Sequence, residues 1–330
     1  MPTIKDVAKL SGISKSTVSR VINNKGYVSD EKRELVLKAM KELEYSPNLA
    51  ARRLRGQLTT TIGVIVPKIT NPFFSYLVDA IERAAYEQGY QVMIFQSNED
   101  LQKELTFLNL LKTKQVDGII MTAVENDWAN VRPFLKYGPI VLCNVFIENS
   151  SVPIVRLNQY KGTYDSIRYL LESGYKKIAY CTGGFYSKEG KGRERNLGFQ
   201  KAMEEAAIPI HPNWIFVDKH TIDDGRQVLK DIMKMKERPT AVFTGSDEVA
   251  SGMIAEANAN GIKVPDDLAI MGFDDQPIAQ VVSPKLTTIK QPVDQLGAKA
   301  VEVMIEKLNY ADAPDHYLEL PIEMIIRQST

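Results

Sequence analysis

Lys15, Ser16, Thr17, Ser19, Arg20 and Asn23 fall on one side of a short helical stretch, with Val18, Val21 and Ile22 on the other. The polar set is compact and mixes short hydroxyls with long cations. Such groups reach base edges and phosphates. Arg20 is suited to a bidentate contact with a guanine edge, worth roughly 1–3 kcal/mol of discrimination. A second cluster, NLAARRLRGQ at 48–57, crowds Arg52, Arg53 and Arg55 around Leu54. It is too basic for a core and too rich in helix formers for an ordinary linker.

Catalytic chemistry finds little support in the residue types. The three histidines include His211 and His220, nine apart and without metal-like companions. The chain has no Walker A loop, no G-x-G-x-x-G after the first strand, no G-x-S-x-G elbow and no H-E-x-x-H. TGGFYSKEGKGRERN is glycine-rich but matches none of these. The expectation is therefore no enzyme, no metal and no cofactor. Cys143 and Cys181 each sit in an apolar, strand-like run, as buried thiols in a reducing compartment do.

The elements that must carry the polar face come next. Ile4, Val7 and Ala8 mark the apolar side of one short helix, broken at Ser11-Gly12-Ile13. Ser14 can cap the second helix with its hydroxyl. A third begins near Ser29-Asp30-Glu31, with acidic residues at its positive end and Val36, Met40 and Leu43 on its apolar side. Two short helices across a glycine turn, supported by a third, make a helix-turn-helix. Any small three-helix bundle shares the pattern. The compact polar face and the basic charge favour the DNA-reading version.

Charge divides the chain the same way. Its 330 residues carry 41 basic and 41 acidic side chains, yet residues 1–60 hold 12 basic and 6 acidic ones. A basic module thus precedes a mildly acidic body, and nucleic acid is the usual partner of the basic part. From Thr61 onward strands and helices alternate: IGVIVP, QVMIFQ, GIIMTA and PIVLCN, with a helix at Trp128, then KKIAYCTG, WIFV, TAVFTG and LAIMGF. Short, continuous β-branched runs between helices mean parallel strands buried on both faces. Two Rossmann-like subdomains with a cleft between them are expected. No signal peptide and no apolar run near 18 residues is evident, so a cytoplasmic protein without membrane contact is expected.

The motifs TIKDVAKLSGISKSTVSRVINN and YSPNLAARRL resemble the DNA-binding headpiece of the LacI/GalR family of bacterial repressors. NPFF (71–74), QVDGII, GYKKIAY, RNLGF (195–199), PTAVFTGSDEVASG, VPDDLAIMGFDD and LTTIKQP extend the resemblance over essentially the whole chain. QVDGIIMTA and YGPIVLC look closest to catabolite-control-type members. The resemblance implies a headpiece at 1–46, a hinge at 47–60 and a periplasmic-binding-protein-like core at 61–330. It further implies a first lobe of about 61–159 and 289–320, and a second of about 160–288 and 321–330. Lys15, Ser16 and Arg20 match the family's base-reading positions. Thr3, Thr17, Asn23, Lys25 and Tyr27 match positions at or near the DNA backbone. Ser19, Asn48 and Arg52 complete the expected contact set. Leu54 matches a leucine wedged into the central base step, with Arg55 beside it. Prying a step open costs a few kcal/mol, and the bent duplex then meets more protein.

The same resemblance implies a small effector in the cleft, often a sugar and sometimes a purine in the family; a sugar, sugar phosphate or related metabolite is expected. Phe73 and Phe74 match its first-lobe wall, and Asn144 and Phe146 lie nearby. Arg195 matches an arginine that holds effector oxygens, and Asp274 an acid that accepts from hydroxyls or amines. Ser246 stands where sugar-responsive members have Asn or Asp, and His220 replaces an aromatic. A loop with Lys188, Lys191, Arg193 and Arg195 is either solvated or, if it faces the cleft, would favour a phosphorylated or acidic ligand. The chain ends at IIRQST without a leucine-heptad tail, so a two-fold dimer on a palindromic double-stranded operator is expected rather than a tail-built tetramer. A protein co-regulator on the first lobe stays open. The rival reading is a soluble sugar-binding or sugar-processing protein with an incidental helical N-terminus.

Overall fold

The computed structural model describes residues 2–22, 26–45, 59–184, 193–310 and 312–330. The expected DNA contacts Asn23, Lys25, Asn48, Arg52, Leu54 and Arg55 lie outside the described residues, as do Lys188 and Lys191. The chain divides into two compact units, Met1–Thr61 and Ile62–Thr330.

The first unit holds α1 (Ile4–Ser11), α2 (Lys15–Ile22) and α3 (Asp30–Glu42). Thr3 and Asp6 close the start of α1: the Thr3 amide and hydroxyl both donate to the Asp6 carboxylate, at 2.8 and 2.7 Å. Gly12 ends the helix at φ 66°, a left-handed conformation in which glycine has no Cβ to clash. The Ser14 hydroxyl then accepts from the Thr17 amide at 3.3 Å, at the start of α2 as its position implied. Val7, Val18, Val21, Val28, Val36 and Ala39 are buried together, with Met40 and Leu43 packed against them.

The second unit contains two parallel sheets. In the first lobe β1 (Thr61–Val66), β2 (Gln91–Gln96), β3 (Gly118–Met121), β4 (Ile140–Cys143), β5 (Ile154–Leu157) and β11 (Tyr317–Leu320) lie in the order β11-β5-β4-β3-β1-β2. Alternate residues of β1 face opposite sides. Ile62, Val64 and Val66 meet α4 (Pro72–Glu87) and α12 (Val293–Asn309), while Ile65 meets α5 (Leu101–Lys112). Burial on both faces is why β1, β3 and β4 read as unbroken apolar runs, whereas β2 lies at the sheet edge and is partly exposed. The expected Trp128 helix is only one turn, α6 (Trp128–Val131), and continues as a 3-10 segment over Arg132–Tyr137. Pro133, which has no amide proton, lies in the first turn of that segment.

The second lobe holds β6 (Ile178–Cys181), β7 (Ile215–Phe216), β8 (Ala241–Thr244) and β9 (Ala269–Met271), in the order β7-β6-β8-β9. On one face lie α7 (Gln159–Glu172) and α8 (Arg193–Glu205), on the other α9 (Ile222–Lys234) and α10 (Asp247–Ala259). The last two touch backbone to backbone. A Cβ at Gly225 would stand 2.0 Å from the Val249 carbonyl, and one at Gly252 would stand 1.9 Å from that of Ile222. The short α11 (Ile278–Val281) follows.

Three crossings join the lobes: β5 into α7, β10 (Thr288–Lys290) into α12, and β11 into β12 (Glu323–Ile325). β10 pairs antiparallel with β12 and is bridged to Asp274 through Lys290. Residues 289–290 therefore sit with the second lobe, where the sequence expected the first to resume. β5, β10, β11 and β12 also escaped the sequence reading. Each is three or four residues long, and IVRL and YLEL place charges inside strands. Both cysteines are buried, and burial pushes both thiols well above their ordinary range. No described helix is long and apolar enough to cross a membrane.

Candidate DNA-reading face and effector site

On α2 the valines are spent on the core, so the polar residues are turned outward. Val18 is fully buried and Val21 nearly so, while Lys15, Ser16 and Arg20 are exposed and Thr17 and Ser19 are half-buried. The Thr17 hydroxyl lies 2.9 Å from the Ser14 hydroxyl. Thr3 is exposed at the start of α1, and Tyr27 is 92% exposed. A tyrosine so bare in a small domain has no packing role within its own unit, which fits a contact surface.

In the second unit a continuous polar network forms where the crossings meet. Arg195, in the first turn of α8, donates to Gln159 Oε1 and to the Gly245 carbonyl, both at 2.7 Å. Its guanidinium carbon stands 3.8 Å over the Phe273 ring. The Gln159 amide nitrogen donates in turn to Asn144 Oδ1 at 3.1 Å and to Gln291 Oε1 at 3.0 Å. Gln291 donates to one oxygen of Asp274, and Gln276 donates to the other at 3.0 Å. Asn144 comes from the end of β4, Gln159 and Gln291 from two crossings, and Arg195 and Asp274 from the second lobe.

Electrostatics single out the acid. Asp274 is 9% exposed, and burial pushes its carboxyl up to about 7 against the opposing pull of Arg195 and the two glutamine amides. Burial also lowers the Arg195 pKa from its usual value. Asp247 is fully buried and is raised well above the carboxylate range by burial and by the charge of Asp274. Thr288 and the Gln276 amide donate to it at 2.6 and 2.7 Å. Asp274 and Asp275 hold φ of 115° and 54°, values that L-residues rarely adopt. Such strain collects at functional sites.

The network thus unites three expected residues, Asn144, Arg195 and Asp274. The others stand apart from it. Phe73 packs into the first-lobe core at 6% exposure, edge-on to the half-buried Phe74 at 5.2 Å. Phe146 lies against Arg156, 5.0 Å from its ring centre, and Tyr317, not among the network residues. Ser246 caps α10, its hydroxyl accepting from the Val249 amide at 3.4 Å. His220 lies 3.2 Å from Asp218 and packs over Gly183, where a Cβ would stand 2.7 Å from its ring. Gln159, Gln276, Gln291 and Asp247 escaped the sequence reading. Glutamine carries no charge to mark it, although Gln291 lies in LTTIKQP and Gln159 opens a helix. No group of three or more His, Cys, Asp or Glu suited to a metal occurs among the described residues.

Comparison with known proteins agrees with both units. Residues 3–48 match the model of bacterial regulatory proteins, lacI family, and residues 167–330 that of a periplasmic binding protein-like domain. The chain is 44% identical over all of its length and all of the relative's to the NTD biosynthesis operon regulator NtdR of Bacillus subtilis (strain 168). It is 36% identical, over all of this chain and 98% of the relative, to the HTH-type transcriptional repressor PurR of Vibrio parahaemolyticus. Among solved structures, a LacI family transcriptional regulator from Lactobacillus casei with bound sucrose matches at TM-score 0.77 and 38% identity, covering 82% of this chain and 99% of that one. The lac repressor dimer bound to operator matches at TM-score 0.86 and 26% identity, covering 99% and 98%. With its helix-turn-helix unit and two-lobed α/β core, the chain belongs to the lacI family of bacterial regulatory proteins and is a transcriptional regulator, not an enzyme.

Proposed function

We propose that the chain represses carbohydrate-related genes as a two-fold dimer on a palindromic operator, and that a small effector sets its DNA affinity. The carrying observation is the Asn144–Gln159–Arg195–Gln291–Asp274 network. It draws on both lobes and two crossings, so a ligand bonded there favours one lobe orientation. A ligand that prefers one orientation shifts that population, and operator DNA must change effector affinity by the same factor. The exposed Lys15, Ser16 and Arg20 would read bases. Leu54 would wedge between them, held by Arg52 and Arg55 on the phosphates.

A neutral polyhydroxylated ligand fits this chemistry better than a phosphate. Arg195 is already engaged by a glutamine and a carbonyl, and the buried Asp274 lies within its electrostatic reach. The sucrose-bound relative supports the same class. For the dimer, Tyr76 and Tyr86 on α4 and Met93 and Ile94 on the edge strand β2 are 47, 75, 41 and 48% exposed. An apolar edge strand left bare invites pairing, and a second copy would cover it. Cytoplasmic location and a protein co-regulator belong to the same proposal, as expectations of the family.

Genome-wide mapping of bound sites tests the reading. Palindromic sites beside carbohydrate genes are expected. Sites lacking two-fold symmetry would overturn the dimer, and sites beside unrelated genes would overturn the gene class. Calorimetry with sucrose, glucose and glucose 6-phosphate separates the ligand classes. Tighter binding of the phosphate than of glucose would refute the neutral-ligand reading.

A further inference from the structure

Arg156 is an anomaly of the sequence made legible by the fold. It interrupts the apolar run of β5, yet it is only 5% exposed. Its Nη1 stands 2.9 Å from Glu194 in the first turn of α8, and its Nε stands 3.4 Å from Glu319 on β11. Phe146 covers the guanidinium at 5.0 Å, and Tyr317 meets Phe146 edge-on at 6.0 Å. Glu319 is itself held by Asn158 at 2.8 Å and by the Tyr317 hydroxyl at 3.2 Å.

The two acids differ in kind. Glu319 belongs to the same sheet as Arg156, whereas Glu194 belongs to the other lobe. Glu194 also directly precedes Arg195, as Arg156 lies three residues before Gln159. The Arg156–Glu194 pair and the Arg195–Gln159 bond therefore tie the same two segments side by side. A buried guanidinium deprived of one carboxylate would keep most of its desolvation cost, so the pair favours the orientation that keeps both acids within reach.

We propose that Arg156 is a positioning residue whose ion pair with Glu194 holds the two lobes in the orientation that joins Arg195 to Gln159. The pair acts without ligand, and this rests on the reading that lobe orientation is what the effector changes.

The test measures inter-lobe distance directly, with neither effector nor DNA, so its failure is distinct from failure of the effector reading. Spin labels are placed at Lys103 on the first lobe and Lys236 on the second, both exposed, in full-length chain. Labelled chain is diluted with unlabelled chain so that distances within one protomer dominate. Glu194→Gln and Arg156→Met are expected to broaden and shift the distance distribution. The double variant should go no further than either alone, because both remove one pair. Glu319→Gln loosens a first-lobe contact of Arg156 and the Asn158 bond at the start of α7 but leaves the Glu194 pair, so it should shift the distribution less than Glu194→Gln. Glu194→Gln alters a partly exposed side chain, so it remains informative if Arg156→Met folds poorly. An unmoved distribution in Glu194→Gln, or an equal shift in Glu319→Gln, overturns the proposal.

Discussion

Arg195 donates to Gln159 at 2.7 Å and thereby joins the first turn of a second-lobe helix to the crossing that leaves the first lobe. The same glutamine passes the connection on to Asn144 and Gln291. One uncharged side chain thus links four segments. Gln159→Ala should cost about 1–3 kcal/mol, the penalty of leaving buried partners unmatched. Urea denaturation of the full chain measures it. An unchanged midpoint would show that the network re-forms without Gln159.

The Asp274 carboxyl makes stability depend on pH in an unusual direction. Its pKa is about 7 in the fold and near 3.8 unperturbed. The folded state thus binds the proton more tightly than the unfolded one. Its contribution is fully present below pH 4 and is lost as pH rises through 7, at about 1.4 kcal/mol per unit of displacement. Asp274→Asn should remove this dependence. Relative to the unaltered chain, the variant should be more stable at pH 8 than at pH 5, as thermal unfolding at the two values will show. A constant difference across that range would refute the raised pKa.

Gly225→Ala should destabilise the second lobe. Its Cβ would enter the Val249 carbonyl at 2.0 Å, and the facing backbone of α10 has no flexible side-chain end to yield. Forcing the helices apart should cost about 1–3 kcal/mol. A calorimetric transition at the original temperature would show that α9 and α10 slide without penalty.

Arg20→Ala tests the reading face. It is exposed on α2, so its loss should spare the fold. Selection from random DNA should return a consensus degenerate at one position per half-site, with roughly 1–3 kcal/mol less discrimination there. An unchanged consensus would remove Arg20 from the readers.

Tyr86→Glu combined with Ile94→Glu should convert dimer to monomer in sedimentation, because each places a charge on the exposed apolar row of α4 and β2. Persistence of the dimer would place the interface elsewhere.

Much of this molecule follows from local pattern. Val18 and Val21 at helical spacing required that Lys15, Ser16 and Arg20 face outward, because a helix of fixed period has only one side to bury. IGVIVP announced a strand buried on both faces because its apolar run has no polar alternation. Gly12 marked a turn because only glycine adopts a left-handed backbone without cost. Family motifs pointed to Asn144, Arg195 and Asp274, which the fold does bring together.

Other features belong to tertiary structure alone. Gln159 and Gln291 stand 132 residues apart in the chain, and only the crossings bring their amides to 3.0 Å. Asp274 is an ordinary carboxylate in sequence. Burial lifts its pKa to about 7, against the opposing pull of Arg195 and two glutamine amides. Ser246 and Phe146 hold local roles that their sequence neighbours do not show: one hydroxyl accepts from a helix amide, and one ring covers Arg156. The reason is physical. Local sequence sets periodicity and backbone preference within a few residues. Solvation, partner choice and charge state depend on groups that meet only after the sheets close and the chain has crossed between lobes three times.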